Sequence, residues 1–175
     1  MSEEEKRQHR CCFSGHRQEK LKTDPERVLA WLDERIEEAV REGFVTFITG
    51  MGMGVDLWAA ETVLEKKKVY PFVRLIAAAP YPGFSRRWSE AWKARYEKVW
   101  QEADLTVYVR PAFENTAFQQ RNEWIVRHSR RLIAFYNGDP GGTDDMIRYA
   151  REQGIETMVY AEKEETEDKE GGNAL

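Results

Sequence analysis

The chain has 175 residues, of which 41% are apolar and 33% charged, and its formal net charge is −4. That is enough chain for one domain with a substantial core, and it lacks the basic excess of a protein built chiefly to grip nucleic acid, so a nucleic-acid partner is not expected. No apolar run approaches the roughly 20 residues of a membrane span, and the acidic, polar opening MSEEEKRQHR does not read as a secretory leader, which together predict a cytoplasmic protein with no membrane partner.

Residues 1–9 read as a flexible start, and CCFSG as the first strand. The adjacent Cys11 and Cys12 point to opposite faces of that strand. With no third cysteine there is no disulfide framework and no thiolate zinc site. The segment DPERVLAWLDERIEEAVREG is a helix with Asp24 as N-cap, Pro25 at its first position and Gly43 as terminator. Val28, Leu29, Leu32, Ile36, Ala39 and Val40 hold one face of it.

FVTFITG is the second strand, followed by a glycine loop and a helix from Val55 to Lys68. FVRLIAAA is the third strand, ended by PYPG. A long helix is predicted from Ser85 to Ala103, with LTVYV as the fourth strand. RPAFEN then leads into a helix through Ser129, and RLIAFY is the fifth strand. NGDPGG opens a helix to Gln153, and IETMVYA is a sixth strand, polar enough for a sheet edge. Residues 162–175 have no apolar side chain before the final Ala174 and Leu175 and read as an acidic, disordered tail.

This strand–helix alternation predicts a single α/β domain over residues 10–161, with a mostly parallel sheet of about six strands and helices on both faces. Ligands of such sheets sit beyond the carboxyl ends of the strands, so the segments after the strands carry the candidate site. They include Ser14, Gly15, His16 and Arg17 after the first strand. Gly50, Met51, Gly52, Gly54 and Asp56 follow the second, and Asn137, Gly141, Gly142 and Thr143 follow the fifth. Glycine admits close approach to backbone amides, and a helix N-terminus directly after it suits a phosphate.

The stretch GMGMGVD is neither a P-loop, which needs Gly-Lys-Ser/Thr, nor the dinucleotide fingerprint, because Val55 stands where the last glycine belongs. It serves either as a phosphate cradle or as a tight packing turn. Asp56 either caps the following helix or accepts a hydrogen bond from a ribose hydroxyl. Glu61, further along that helix, is either solvated or catalytic. Arg17 suits a phosphate or carboxylate partner or a surface salt bridge. Trp88, Trp92, Tyr96, Val99, Trp100 and Ala103 form an apolar stripe, read as core or as a homo-oligomer face. Its alternative is base stacking aided by Arg86, Arg87, Lys93 and Arg95. The three histidines lack ligand-like spacing, so no metal is expected and no cofactor is required.

Taken together, CCFSGHRQEKL, FITGMGMGVDLWAAE, RLIAAAPYPG, RNEWIVRHSRRLIAFYNGDPGGT and IRYAREQG resemble the YpsA-like (DUF1273) family. That family belongs to the SLOG superfamily, named for the Smf/DprA and LOG proteins. The resemblance spans Cys11 to Val159 and implies a Rossmann-like fold that binds a nucleotide or a nucleotide-derived, ADP-ribose-like ligand, as a sensor or regulatory protein. LOG relatives are phosphoribohydrolases that cleave the N-glycosidic bond of nucleoside monophosphates, and DprA relatives bind single-stranded DNA.

Arg121 and Asn122 occupy the place of the LOG arginine helix. Pro140, Gly141, Gly142 and Thr143 match the start of the LOG motif P-G-G-x-G-T-x-x-E. The second glycine step is missing, and Asp144 and Asp145 stand where the glutamate-bearing turn would be. This departure favours retained phosphate binding over retained hydrolysis. If the chain is an N-glycosidase, Arg121, Glu61, Asp144 and Asp145 are the catalytic candidates.

Overall fold

The computed structural model describes residues 1–162, so the expected acidic tail beyond Glu162 lies outside the described residues. Six parallel strands form one sheet in the order β4-β3-β2-β1-β5-β6. They are β1 (Arg10–Gly15), β2 (Thr46–Thr49), β3 (Arg74–Ala79), β4 (Leu105–Tyr108), β5 (Arg131–Tyr136) and β6 (Glu156–Ala161). The helices are α1 (Glu3–Arg7), α2 (Pro25–Arg41), α3 (Val55–Val69), α4 (Glu90–Glu102), α5 (Ala117–Arg127) and α6 (Gly142–Glu152).

Side chains alternate across the sheet and so build two cores. On one face Cys11, Phe13, Phe47, Leu75, Ile133 and Phe135 pack with residues of α2, α3 and α4. On the other, Cys12, Ile48, Ile76, Leu132 and Ala134 pack with residues of α5 and α6. The two cysteines are therefore divided between the faces, and both are free thiols. The chain winds outward from β1 to β4 on one side of the sheet and then crosses to β5 on the other side of β1. The strand order thus reverses between β1 and β5, where a crevice opens at the carboxyl ends.

Local chemistry sets most boundaries. Gly43, at φ +99°, ends α2, and Phe44 N–H returns to the Ala39 carbonyl at 2.9 Å. Asp24 precedes Pro25 at the helix start, but its side chain makes no capping hydrogen bond. α4 begins at Glu90 rather than at Ser85: Ser89 accepts from Trp92 N–H, and turns occupy residues 82–87, including Gly83 at φ +81°. The tryptophan stripe is therefore split, with Trp88 ahead of the helix and Trp92 and Trp100 on it. All three are partly buried against the core, where Tyr96 and Val99 are fully packed.

Residues Glu3–Arg7 form a short helix capped by Ser2. Glu162 is buried and accepts from the amides of Lys22 and Thr23 at 2.9 and 2.7 Å, tying the end of β6 to the start of α2.

Candidate functional site

A cleft of about 180 Å³ lies where β1, β2 and β5 end. The polar residues lining it are Ser14, His16, Arg17, Lys20, Asp56, Arg121, Asn122 and Thr143, with Gly15, Gly50 and Gly142 among the backbone walls. Three cations (Arg17, Lys20 and Arg121) face one carboxylate, Asp56.

Three amides in and just after the glycine loop are bonded within the protein. Met51 N–H donates to Thr49 Oγ1 at 3.2 Å, and Gly52 N–H donates to Asp56 Oδ2 at 3.1 Å. The first amide of α3, on Val55, donates to the His16 carbonyl at 3.2 Å. Three donors that the sequence offers to a phosphate are thus satisfied within the protein, and of Gly50, Met51, Gly52 and Gly54 only Gly50 lines the cleft. The packing is tight. A Cβ on Gly52 would lie 2.9 Å from Asp56 Oδ2, and one on Gly54, at φ +84°, would lie 2.2 Å from the His16 carbonyl oxygen. Met51 holds φ +66° without being a glycine, a costly conformation fixed by full burial and the Thr49 bond.

The loop positions Asp56 and Arg121, both nearly buried. Asp56 comes from α3 on one face of the sheet. Arg121 comes from α5 on the other, donating through Nη1 to the Gly50 carbonyl and through Nε to Asn122 Oδ1 at 2.8 Å. Burial raises the Asp56 carboxyl to about 6, against the opposing pull of Arg121 and the Gly52 amide. Burial likewise lowers the Arg121 pKa from its ordinary value, with Asp56 opposing.

The opposite wall is the start of α6. Its N-cap is Gly141, which has no side chain to cap the helix. Among the described residues the amides of Gly142, Thr143 and Asp144 have no acceptor. The hydroxyls of Ser14 and Thr143 are also without partners there, as are Arg121 Nη2 and Asp56 Oδ1. Unsatisfied groups from β1, α3, α5 and α6 therefore converge on one space, with donors in the majority.

His16 and Asn137 join the β1 and β5 loops. Asn137 N–H donates to His16 Nε2 at 3.1 Å, so the ring proton sits on Nδ1. Asn137 Nδ2 donates to the Lys20 carbonyl at 3.2 Å, and its Oδ1 accepts from Asp139 N–H at 2.9 Å. Burial lowers the His16 pKa and keeps the ring neutral. Asn137 is thus engaged in loop structure and Gly141 caps the helix, while Gly142 and Thr143 reach the cleft.

The other carboxylates sit elsewhere. Glu61 is bound by Arg95, with Nε at 3.1 Å. Asp144 accepts from the Tyr136 hydroxyl at 2.9 Å and pairs with Arg148, and these bonds hold its carboxyl below the usual range. Asp145 lines a neighbouring groove. Sequence reasoning missed Lys20 and Met146 in the lining, and Thr49, which also donates to the Asp56 carbonyl at 2.9 Å. Lys20 had a usable signal, six residues beyond Ser14 in the same post-strand segment.

A parallel sheet whose order reverses beside a polar cleft defines an α/β domain of the Rossmann-like class. The family model described as YspA SLOG family (YpsA) matches residues 11–164, and the chain belongs to this family. Its relatives include the uncharacterised SPbeta prophage-derived protein YoqJ of Bacillus subtilis, 30% identical over 72% of this chain and 79% of YoqJ. A UPF0398 protein of Halalkalibacterium halodurans is 27% identical over 69% of this chain and 66% of its own.

Among solved structures, DNA processing protein A from Helicobacter pylori, reported for its single-stranded DNA binding mode, superposes with a TM-score of 0.62 at 16% identity. The match covers 86% of this chain and 64% of that one. The Streptococcus pneumoniae DprA matches with a TM-score of 0.51 at 13% identity, over 87% of this chain and 59% of that one. These likenesses establish a shared fold.

Proposed function

We propose that the protein binds a nucleotide-derived phosphate ligand, ADP-ribose-like in character, in the cleft between β1 and β5, and acts as a ligand-binding or sensor protein. The observation that carries this reading is the convergence of unpaired donors on one space. Among the described residues the amides of Gly142, Thr143 and Asp144, the hydroxyls of Ser14 and Thr143, and Arg121 Nη2 have no protein acceptor. A phosphate supplies several acceptor oxygens at once and is favoured by the positive end of the α6 dipole. Asp56 Oδ1 is the acceptor suited to a sugar hydroxyl beside that phosphate.

Binding rather than hydrolysis is supported by the positions of the acids. Glycosidic cleavage needs a carboxylate beside the sugar carbon, commonly two. Glu61 and Asp144 are committed to Arg95 and Arg148, and Asp145 lines the adjoining groove, which leaves Asp56 as the carboxylate lining the cleft.

The test is a thermal-shift panel of AMP, ADP, ADP-ribose and NAD on the intact chain and on Gly52→Val, whose new Cβ displaces Asp56. A ligand at 100 times its Kd adds about 2.7 kcal/mol, very roughly 5–11 °C in Tm for a chain of this size. A shift with the intact chain that Gly52→Val abolishes is expected. Equal melting with and without every ligand would refute the reading.

A further inference from the structure

The aromatic segment around the start of α4 borders a second concavity, a groove of about 980 Å³. Arg17 lines both this groove and the cleft, so the two spaces adjoin at this residue. Tyr81, Phe84, Trp88, Trp92 and Phe113 supply the groove's rings. They are braced edge to face: Tyr81 on Phe113 at 5.5 Å and 82°, Phe84 on Trp88 at 5.0 Å and 80°. Rings fixed by one another need little further ordering when a flat ligand stacks on them. Phe113 is 62% exposed, so its ring is open to a ligand.

Charge gives the groove a direction. Arg17, Arg86 and Arg87 line it, and among the described residues none of the three guanidinium groups has an ion-pair partner. Glu19 is the one carboxylate in the lining. The groove on the other side of the cleft, which shares Asn122, Gly142 and Met146 with it, presents Glu123, Asp145 and Glu152. Its cation, Arg148, is already paired with Asp144 and Asp145. A chain of phosphates leaving the cleft is repelled on that side and attracted past Arg17.

We infer that the aromatic groove is the nucleobase subsite of a nucleoside-diphosphate-sugar ligand whose sugar–phosphate end occupies the cleft. The first phosphate sits at the α6 amides, the second beside Arg17, and the base stacks among the rings of Tyr81, Trp88 and Phe113. This rests on the phosphate reading above and adds the ligand's length and the placement of its base. Single-stranded nucleic acid uses the same pairing of rings and cations. The acidic lining of the groove on the cleft's other side favours a ligand that terminates in the cleft.

Calorimetric titration of the full chain with ADP-ribose and with base-free ribose 5-phosphate tests this, using Phe113→Ala, Trp88→Leu and Arg121→Ala. Loss of a stacking ring should weaken ADP-ribose about 5- to 150-fold. It should leave ribose 5-phosphate binding as in the unaltered protein, which also reports an intact fold. Arg121→Ala should weaken both ligands. ADP-ribose affinity unchanged in Phe113→Ala and in Trp88→Leu, but lost in Arg121→Ala, would overturn the groove assignment and leave the cleft standing. Failure of the unaltered chain to bind either ligand would overturn both. Binding of a dT oligonucleotide that depends on Phe113, with ADP-ribose indifferent to it, would overturn the inference in favour of nucleic acid.

Discussion

Arg121 and Asp56 reach the same cleft from opposite faces of the sheet, each anchored to the glycine loop, and no ion pair joins them among the described residues. Arg121 holds the Gly50 carbonyl and Asp56 holds the Gly52 amide. Two opposite charges kept apart in a nearly buried site each retain a free polar atom for a ligand. A direct salt bridge would have consumed both.

Removing the arginine should therefore act on binding and on stability together. Arg121→Ala leaves the Gly50 carbonyl without its donor, at a cost of about 1–3 kcal/mol in a buried setting. Phosphate-ligand affinity should fall at least tenfold. Arg121→Lys keeps the charge but cannot serve Gly50, Asn122 and a ligand simultaneously, so it should restore only part of the affinity. Chemical denaturation and titration of the two variants check this.

The Asp56 carboxyl gives a pH signature. Its value rises on folding from an ordinary 3.8 to about 6, so its protonated form is favoured in the fold. The associated stability is present below about pH 4 and is lost as pH rises through about 6. Asp56→Asn keeps an acceptor for the Gly52 amide and removes the buried charge. The variant should melt higher than the unaltered protein at pH 7.5, by an amount worth about 3 kcal/mol, and show little advantage at pH 4. Ligand affinity should fall in the same variant. Melting curves across this range decide the sign.

His16 titrates with the opposite consequence. Burial lowers its pKa, and its Nε2 must stay unprotonated to accept from Asn137 N–H. This contribution is complete above the ordinary value near 6.5 and is lost as pH falls below it. His16→Gln, which can still present an acceptor oxygen, should lose less stability than the unaltered protein between pH 7 and pH 5. Denaturant midpoints at the two pH values measure the difference.

Two glycine-to-alanine substitutions should behave differently. Gly54→Ala drives a Cβ to 2.2 Å from a backbone oxygen at positive φ, so a loss of about 3 kcal/mol or more is expected. At Gly142 a Cβ meets nothing within 4 Å and φ is ordinary. Gly142→Ala should fold with stability within about 1 kcal/mol of the original, yet bind phosphate ligands more weakly because its methyl group projects at the cleft wall. Urea titration separates the two effects.

The architecture was legible from the strand–helix alternation because each strand of this parallel sheet is a short apolar run ending in turn residues. The start of α4 was not, since Trp88 keeps helical spacing with Trp92 while Ser89 and Gly83 break the chain before it. The site was legible as a set of post-strand segments. Their division of labour was not: GMGMG looks like a donor-rich cradle, and only the folded positions of Thr49, Asp56 and the His16 carbonyl show that its amides at Met51 and Gly52, and the next at Val55, are already bonded. Likewise Glu61 and Asp144 are separated from the cleft by partners, Arg95 and Arg148, whose proximity follows from tertiary packing and side-chain choice.

The most direct test is an amide NMR titration of the full chain with ribose 5-phosphate. The largest shifts are predicted at Gly142, Thr143 and Asp144, with the Arg121 side-chain Nε–H following. Shifts confined to Gly52, Met53 and Gly54, or none at saturating ligand, would contradict the assignment of the phosphate to the start of α6.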